Sequence, residues 1–393
     1  MKVLKICAGT WSNESRDERE MSVYGSLGAE TAVMAKGDRC DCGRMDNVHG
    51  FAVYRYSTKF GGPSALDKVR SLRFWARHVA AIKPDIISGH DVPGMGIAWL
   101  YARHLPQAER PFLIYDAHEY EPARNTMRSR LRTKMVCRIE KFLIGKCNLM
   151  IVVNQTVAKE YKKYYDLRLL PLSVRNIPPE AEREPQASAA VRMKYEQAVG
   201  EGFFIMYHGI ICPGRGIEKA IRSLEPDSGL RLVILGNATS REYMESLRAL
   251  AASEGVSERI YWHPAVPNTE LTRYIGASDA SIMIIEPITK SYMYALPNKL
   301  FESIQAGIPV IASDIPEMKK IVNDYGVGLV CSHEDQNDIN AAIARIKNEK
   351  DNYAGYKRNV AEAAGKLCWE NESLILAEAF RTMINNGKKN RPY

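Results

Sequence analysis

Residues 296–313 combine the features of a phosphate-binding helix with an acidic side chain. The sequence of this segment is Leu-Pro-Asn-Lys-Leu-Phe-Glu-Ser-Ile-Gln-Ala-Gly-Ile-Pro-Val-Ile-Ala-Ser. It predicts a helix that begins near Pro297, ends at Gly307 and leads into a buried strand. The unpaired N–H groups at such a helix N-terminus can hold a diphosphate. Glu302 lies one turn further along, and its carboxylate can accept hydrogen bonds from two ribose hydroxyls. The alternative for Glu302 is a solvated position on the helix.

Residues 207–217 form a second segment, in which glycines and an arginine follow a predicted strand. Its sequence is Tyr-His-Gly-Ile-Ile-Cys-Pro-Gly-Arg-Gly-Ile. Gly209 and Gly214 let the backbone approach a ligand closely, and Arg215 can make a forked contact with phosphate oxygens. Strand–glycine–helix turns are common, so this pattern alone does not identify a ligand.

The 296–313 segment resembles the signature of family 4 (group 1) of the retaining glycosyltransferases, which have the GT-B fold. In that family a glutamate precedes a helix of small residues, a glycine and a proline, and Glu302, Gly307 and Pro309 lie at these positions. The resemblance implies a nucleotide-diphosphate-sugar donor whose ribose is bound by Glu302. The Leu-Pro-Asn-Lys variant resembles a subgroup of bacterial polysaccharide transferases. The donor-binding residues that we expect are Gly9, Gly209, Gly214, Pro297, Asn298, Leu300 and Glu302.

The chain departs from the family pattern where the donor sugar is recognised. The family has a second glutamate eight residues before the ribose-binding one, and this sequence has Tyr294 there. Glu286 is acidic and nearby, but its spacing differs from that of the family. The identity of the donor sugar therefore does not follow from the motif, and either residue is a candidate for the missing contact.

The family clamps the departing diphosphate with an arginine and a lysine, and this chain keeps only one of these positions. Arg215 lies at the position of the lysine, whereas Ile210 replaces the arginine. We expect Lys299 to supply the missing charge, so that Arg215, Lys299 and the helix N-terminus at Asn298 stabilise the leaving group.

Two loops in the first half of the chain are expected to contribute to the reaction. His118, in the sequence Tyr-Asp-Ala-His-Glu, follows a predicted strand, and a histidine at this place in the family contacts the donor sugar. We therefore interpret His118 as catalytic, with a structural role as the alternative. Gly9 opens a loop that extends to Glu20, where acceptor and donor phosphate usually meet in the family. This loop lacks the Gly-x-Gly-x-x-Gly pattern of dinucleotide enzymes.

Short β-branched runs alternate with helical patterns throughout the 393 residues, which predicts an α/β protein. We expect a GT-B architecture of two doubly wound, Rossmann-like domains that face a central cleft. Residues 1–175 are predicted to form the acceptor-side domain and residues 176–200 a proline-rich linker. Residues 201–368 are predicted to bind the nucleotide sugar, and residues 369–393 to form a helix that crosses back to the first domain.

A net charge of +8 indicates an anionic partner without naming it. No apolar stretch approaches the length of a membrane span, which favours a cytoplasmic location. Residues 124–146 are rich in Arg and Lys with interleaved apolar residues, so we expect peripheral contact with anionic lipid on the inner face of the plasma membrane. A packed helix with a solvated basic face is the alternative.

The expected function is transfer of a hexosyl or N-acetylhexosaminyl group, with UDP as the expected nucleotide, to a saccharide or lipid-linked acceptor in cell-surface polysaccharide biosynthesis. No paired-aspartate motif of metal-dependent transferases is present, so neither a metal ion nor another cofactor is expected. A nucleic-acid partner is not expected either. The alternatives are a sugar-nucleotide epimerase of related fold and a basic membrane- or nucleic-acid-binding module without catalysis.

Overall fold

Buried β-branched runs alternate with helices, and the structure pairs these runs into two separate sheets. The computed structural model describes residues 1–11, 15–38, 41–57, 65–124, 129–224, 229–387 and 391–393. The chain divides into a first unit, Met1–Arg175 with Glu372–Tyr393, and a second unit, Asn176–Asn371.

The first unit is built on a twisted sheet whose strands are almost all parallel. The strands are β1 (Lys2–Cys7), β2 (Glu30–Lys36), β3 (Cys42–Val48), β4 (Phe51–Tyr56), β5 (Ile86–His90), β6 (Phe112–Ala117), β7 (Leu149–Val152) and β8 (Leu172–Ser173). Their order is β3-β4-β2-β1-β5-β6-β7-β8, and only β3 pairs antiparallel in the described part of this sheet. The helices are α1 (Ser15–Ser26), α2 (Ala65–Ile82), α3 (Asp91–Ala102), α4 (Arg130–Ile144) and α5 (Gln155–Tyr165), with short 3-10 turns at Gln107–Glu109 and Glu121–Ala123.

The second unit has a fully parallel sheet in its described residues. Its strands are β9 (Phe203–His208), β10 (Leu230–Leu235), β11 (Ile260–His263), β12 (Ala280–Met283), β13 (Val310–Ser313) and β14 (Gly328–Cys331), in the order β11-β10-β9-β12-β13-β14. The helices are α6 (Pro185–Val199), α7 (Ile217–Arg222), α8 (Arg241–Ser253), α9 (Asn268–Gly276), α10 (Lys290–Met293), α11 (Asn298–Gln305), α12 (Pro316–Tyr325), α13 (Gln336–Asn348) and α14 (Lys350–Lys366), with a 3-10 turn at Ser257–Arg259. Two parallel α/β units confirm the predicted fold class.

The antiparallel strand β3 is an element that the sequence pattern did not predict. It contains a glycine and several polar residues, so it lacks the β-branched run that marked the other strands. The hairpin to β4 turns at His49 and Gly50, whose φ angles are 51° and 87°. Positive φ at both central residues is the geometry of a tight hairpin turn, and this local turn determines the register.

The segment 176–200, predicted as a linker, contains helix α6 and belongs to the second unit. Pro185 occupies the first turn of this helix, where its missing N–H costs nothing. Val191 and Tyr195 are buried against Phe204 of the central strand β9. The cluster of prolines therefore precedes and begins a packed helix instead of forming a flexible connection.

The last helix, α15 (Trp369–Asn386), begins in the second unit and belongs to the first unit from Glu372 onward. The ring of Phe380 stacks on Tyr24 of α1, with ring centroids 4.6 Å apart. Glu372 accepts hydrogen bonds from the backbone N–H of Arg175 at 2.8 Å and from its guanidinium at 2.9 and 2.5 Å. These contacts attach the end of the chain to the first unit.

Candidate functional site

The glycine turn after β9 forms one side of the candidate site in the second unit. Gly209 follows the last residue of β9 directly and has φ of +108°, a conformation that side chains disfavour. A Cβ at Gly209 would lie 3.5 Å from Nζ of Lys299, so the missing side chain leaves room beside that ammonium. Gly214 also has positive φ, of +78°, and Arg215 follows it just before helix α7. The turn therefore presents open backbone and a guanidinium at the carboxyl end of the sheet.

Helix α11 forms the other side of this site. Pro297 immediately precedes the helix in an extended conformation, and no side chain caps the first turn. The N–H groups of Asn298 and Lys299 therefore remain available to an anion. Phe301 and Ile304 are buried in the core, and this turns Lys299 and Glu302 toward the glycine turn.

Leu300, which we predicted as a donor-binding residue, is fully buried in the same apolar cluster as Phe301 and Ile304. Its backbone N–H donates to the carbonyl of Pro297 at 3.1 Å. Because its side chain faces the core, Leu300 orients the helix and its side chain is not available for a ligand. The apolar pair Leu300-Phe301 between polar neighbours carried this information, but the motif directed attention to the wrong face.

Two cations meet beside the glycine turn. Nζ of Lys299 lies 4.0 Å from the ring centroid of Tyr207, and the guanidinium of Arg215 lies 4.9 Å from the ring centroid of Tyr292. Burial and the charge of Arg215 lower the pKa of Lys299 to about 7, although Glu302 acts in the opposite direction. A guanidinium beside an amine that can take up a proton favours binding of a polyanion.

Glu302 pairs with a histidine that the sequence pattern did not single out. Nε2 of His208, the last residue of β9, lies 3.1 Å from Oε2 of Glu302. His208 is buried, and burial lowers its pKa although the hydrogen bond to Glu302 opposes this effect. A histidine that ends a buried strand immediately before a glycine turn was the available signal.

The two candidates for the missing sugar contact have different environments. Glu286 pairs with Lys219 at 3.5 Å, and its backbone N–H donates to the carbonyl of Gly214 at 3.1 Å. Tyr294 ends the short helix α10 and is partly buried. Glu286 is therefore hydrogen-bonded to the glycine turn and lies next to the site, although its distance in sequence from Glu302 differs from that in the family motif.

In the first unit, His118 follows β6 and belongs to a buried charged cluster. Its Nε2 lies 2.7 Å from Oδ2 of Asp116 and 3.2 Å from Oδ1 of Asp17, and its ring stacks on His90 with centroids 3.7 Å apart. Burial opposes protonation, but the charges of Asp116 and Asp17 outweigh it and raise the pKa of His118 to about 9. His118 is therefore a cation at neutral pH, which suits hydrogen-bond donation better than proton abstraction.

The centre of this cluster is Lys5, a fully buried lysine on β1. Its ammonium lies 2.8 Å from Asp17, 3.0 Å from Glu20 and 2.5 Å from Asp116. Burial favours the neutral amine, but these three carboxylates outweigh it and raise the pKa of Lys5 well above its ordinary value. Arg16 adds a second buried cation through Glu20 and Asp116. The loop predicted from Gly9 to Glu20 thus includes the start of α1, whose side chains build the cluster.

Gly9 itself is exposed just after β1, and its carbonyl accepts from the N–H of Lys36 at 2.9 Å. The predicted loop continues through residues 12–14, which lie outside the described residues. Gly9 and His118 belong to the first unit, whereas the other predicted site residues belong to the second unit.

Among the described residues of the first unit, two groups of side chains have the composition of a metal site. They are Cys7, Asp17 and His90, and Asp17, Asp116 and His118, each with ligand-type atoms within 4.8 Å of one another. The ammonium of Lys5 already contacts both aspartates of the second group, so a cation of the protein itself occupies that position. The residues therefore fit a metal ion poorly as long as Lys5 is charged.

Family models match both halves of the chain. The model described as Glycosyl transferases group 1 matches residues 194–365, and the model described as Glycosyltransferase Family 4 matches residues 24–174. The chain belongs to the group 1, family 4 glycosyltransferases. The predicted family is thereby confirmed.

This glycosyltransferase-family chain resembles curated relatives over part of their length. It is 25% identical over 257 residues to the D-inositol 3-phosphate glycosyltransferase of Nocardia farcinica, a match that covers 62% of this chain and 55% of the relative. It is 23% identical over 184 residues to a GDP-mannose-dependent alpha-(1-6)-phosphatidylinositol monomannoside mannosyltransferase of Mycolicibacterium smegmatis, covering 44% of this chain and 47% of the relative. The chain thus spans about half the length of the curated relatives it matches.

Solved structures share the fold over nearly the whole chain. Sucrose-phosphate synthase from Thermosynechococcus elongatus matches with a TM-score of 0.75 at 15% identity, covering 98% of this chain and 100% of that one. Anabaena HepE in complex with UDP and glucose matches with a TM-score of 0.73 at 13% identity, with the same coverage. Similarity at this level of identity shows a common fold.

Helix α4 of this glycosyltransferase-family chain exposes an apolar stripe. The stripe consists of Leu131, Met135, Ile139 and Phe142, whose exposed fractions are 79%, 53%, 46% and 46%. Exposed cations flank it: Arg130, Arg132, Lys134, Arg138 and Lys141. Cys137, Leu143 and Ile144 of the same helix are buried, so a packed helix with a solvated basic face stays the alternative. Arg124, counted in the basic stretch, is instead paired with Asp91, Glu119 and Glu121.

None of the helices in the described parts of the chain combines the length and the apolarity that a membrane-spanning segment requires.

Proposed function

We propose that this chain is a retaining glycosyltransferase that moves a sugar from a nucleotide diphosphate to a saccharide or lipid-linked acceptor in cell-surface polysaccharide biosynthesis. The observation that carries the proposal is the meeting of three features in the second unit. These are the uncapped N-terminus of α11, the cations Lys299 and Arg215, and the carboxylate of Glu302. Their chemistry matches the diphosphate and the ribose of a nucleotide sugar.

In the proposed reaction, the bond between the anomeric carbon and the diphosphate oxygen breaks, and the acceptor oxygen bonds to that carbon. The leaving diphosphate gains negative charge, which Arg215, Lys299 and the N–H groups from Asn298 stabilise. Attack occurs on the face from which the diphosphate leaves, and a phosphate oxygen of the donor receives the acceptor's proton. This stereochemical course rests on the family resemblance.

His118 is the proposed contribution of the first unit to catalysis. Because Asp116 and Asp17 hold its pKa at about 9, the imidazolium can donate a hydrogen bond to a sugar or phosphate oxygen of the donor. The ammonium of Lys5 fills the position between two carboxylates that a metal would need. We therefore propose transfer without an essential divalent ion.

Uridine is the proposed base, and glucose or a related hexose or N-acetylhexosamine the proposed sugar. The structure of HepE with UDP and glucose supports this choice through its shared fold. The relative described as GDP-mannose-dependent makes guanosine the competing base. A test must therefore include both nucleotides.

The test is a thermal-shift screen of the purified protein with UDP, GDP, dTDP and ADP and with sugar conjugates of each. A ligand at 100 times its dissociation constant should stabilise the unit that binds it by about 2.7 kcal/mol. One nucleotide should raise the melting temperature of the wild type but not of Glu302→Ala or Arg215→Ala. Glu245→Ala and Arg241→Ala, which remove an exposed ion pair on α8, are the matched controls and should respond like the wild type.

Failure of all four nucleotides to stabilise the wild type would contradict the donor-site proposal. A nucleotide shift that persists in both Glu302→Ala and Arg215→Ala would locate the binding site elsewhere. Consumption of the donor without any acceptor, with solvent hydrogen entering the sugar, would instead indicate an epimerase.

We further propose that helix α4 docks on an anionic lipid bilayer, where a lipid-linked acceptor would be found. The argument is the combination of two properties on one face, an apolar stripe and flanking cations. Apolar side chains can enter the headgroup region while the cations meet anionic lipids. A position on the inner face of the plasma membrane remains a prediction.

A further inference from the structure

His208 joins the central strand of the second unit to the helix that carries the proposed ribose-binding carboxylate. It is the last residue of β9 and is 1% exposed, whereas the side chain of Glu302 on α11 is 26% exposed. The distance from Nε2 of His208 to Oε2 of Glu302 is 3.1 Å. A buried imidazole therefore contacts one oxygen of a partly exposed carboxylate.

The chemistry of this contact fixes the protonation of the imidazole. A carboxylate only accepts hydrogen bonds, so the hydrogen of the contact belongs to Nε2 of His208. Burial lowers the pKa of His208, and the nearby charge of Lys299 adds to this effect, so the ring is neutral at pH 7. Nδ1 then carries a lone pair, and this atom is buried without a hydrogen-bond partner in the described residues.

We propose that His208 is a positioning residue that orients the carboxylate of Glu302 toward the ribose of the donor. The inference rests on the proposed function, because it assigns a purpose to the site only if a nucleotide binds there. Oε2 of Glu302 is held by His208, and Oε1 has no hydrogen bond within the described residues, so it is free to accept from a ribose hydroxyl. A carboxylate that is fixed before binding loses less conformational freedom when the ligand arrives.

The alternative is that the pair only connects β9 to α11. These roles differ in their effect on ribose recognition. If His208 orients Glu302, replacing His208 lowers the affinity only for ligands that have the ribose hydroxyl. If His208 only stabilises the fold, replacing it lowers the affinity for ribonucleotides and deoxyribonucleotides to the same extent.

The experiment compares dissociation constants of UDP with 2′-deoxy-UDP, and of GDP with 2′-deoxy-GDP, for the wild type, His208→Asn and His208→Gln. The amide of glutamine reaches the position of Nε2, whereas that of asparagine reaches only the position of Nδ1. A hydrogen bond to a charged group predicts a wild-type preference for the ribonucleotide of roughly 10- to 100-fold. We expect this preference to fall to within about threefold in His208→Asn, with deoxynucleotide affinity unchanged, and to be kept in His208→Gln.

Retention of the full wild-type preference in His208→Asn would overturn the inference while leaving the donor site intact. Loss of the preference in His208→Gln as well as in His208→Asn would overturn the assignment of Nε2 as the donor. If the wild type binds none of the nucleotides, the proposed function fails, and the inference fails with it.

A second measurement does not depend on whether the variants fold. The ¹⁵N chemical shifts of the His208 imidazole in the wild type should show a neutral ring with hydrogen on Nε2 and a bare Nδ1 at pH 7. Addition of UDP or GDP should leave this tautomer unchanged, because the ribose uses the other carboxylate oxygen. A ring with hydrogen on Nδ1, or an imidazolium, would overturn the inference.

Discussion

Lys299 lies against the ring of Tyr207 and near the guanidinium of Arg215, and these surroundings make its charge dependent on pH. Burial and Arg215 lower its pKa to about 7, so part of the free protein lacks this charge at neutral pH. A bound diphosphate favours the charged form and raises the pKa in the complex. Binding above pH 7 therefore requires the uptake of a proton.

We predict that the affinity of the protein for its nucleoside diphosphate falls up to about tenfold per pH unit above pH 7. The diphosphate itself is ionised in this range, so the change in affinity reflects a protonation of the protein. Calorimetric titration from pH 7 to 9 in two buffers of different ionisation enthalpy would measure both the affinity and the proton uptake. The arginine in Lys299→Arg stays charged in this range, so this variant should bind the nucleoside diphosphate with the same affinity at every pH. Lys299→Met should bind weakly throughout and impair turnover as Arg215→Ala does, and pH-dependent binding in Lys299→Met would contradict the prediction.

Lys5 supports a different prediction, because it is the cation at the centre of three buried carboxylates. Lys5→Met leaves Asp17, Glu20 and Asp116 short of one compensating charge. We expect a loss of about 3–5 kcal/mol of unfolding free energy in the first unit. Hydrogen exchange of first-unit amides would measure it.

The matched control for this change is Lys2→Met on the same strand. Lys2 is partly exposed and pairs with the exposed Glu30 at 3.1 Å, so its loss should cost at most about 1 kcal/mol. Equal protection of the two variants would show that the buried cluster does not depend on Lys5.

For single residues, the sequence could indicate site candidates only where they lie inside short motifs. Arg215 lies between β9 and α7, and Lys299 and Glu302 lie in the first turns of α11, where the local pattern indicates a ligand. The contacts of His208 with Glu302 and of Lys5 with Asp116 could not be predicted in this way, because they join residues 94 and 111 positions apart. Such pairs depend on how strands are ordered in the sheet, which no local pattern contains.

Among the elements, helix α4 shows what periodicity can and cannot predict. The apolar residues interleaved within residues 124–146 are consistent with a helix, and the structure has α4 at Arg130–Ile144. The same spacing did not reveal which apolar residues are buried. Leu143 and Ile144 pack inward, whereas Leu131 and Met135 face outward. The difference depends on the neighbouring helices and strands.

We predict that the protein sediments with vesicles of phosphatidylcholine and phosphatidylglycerol but not with vesicles of phosphatidylcholine alone. The double variant Leu131→Ser, Met135→Ser should bind at least about tenfold more weakly, because it loses two apolar side chains from the bilayer. The double variant Lys134→Gln, Arg138→Gln should bind about 30-fold more weakly and lose much of its salt dependence.

The control for the apolar variant is Met193→Ser, which replaces a 59% exposed methionine on α6. It should bind vesicles as the wild type does. Equal binding to neutral and anionic vesicles, or wild-type binding by the α4 variants, would refute docking through the apolar stripe.

At the scale of the whole molecule, the alternation of strands and helices was sufficient to predict two α/β units. It was not sufficient to assign every segment to its unit. Residues 176–200 were expected to form a linker because prolines surround the start of α6, whereas Val191 and Tyr195 of this helix are buried in the core of the second unit. The final helix shows the opposite case, because its chain position is next to the second unit while its segment from Glu372 belongs to the first.

This division predicts that Phe380 stabilises the first unit specifically. Its ring is 1% exposed and stacks on Tyr24, so Phe380→Ala should cost the first unit about 3–5 kcal/mol. Leu374 on the same helix is 67% exposed, and Leu374→Ala should change stability by no more than about 0.5 kcal/mol. Hydrogen exchange resolved by peptide would report each unit separately, and β1 and β2 should lose protection in Phe380→Ala while β9 and β10 keep theirs. Equal loss of protection in both units would contradict this prediction.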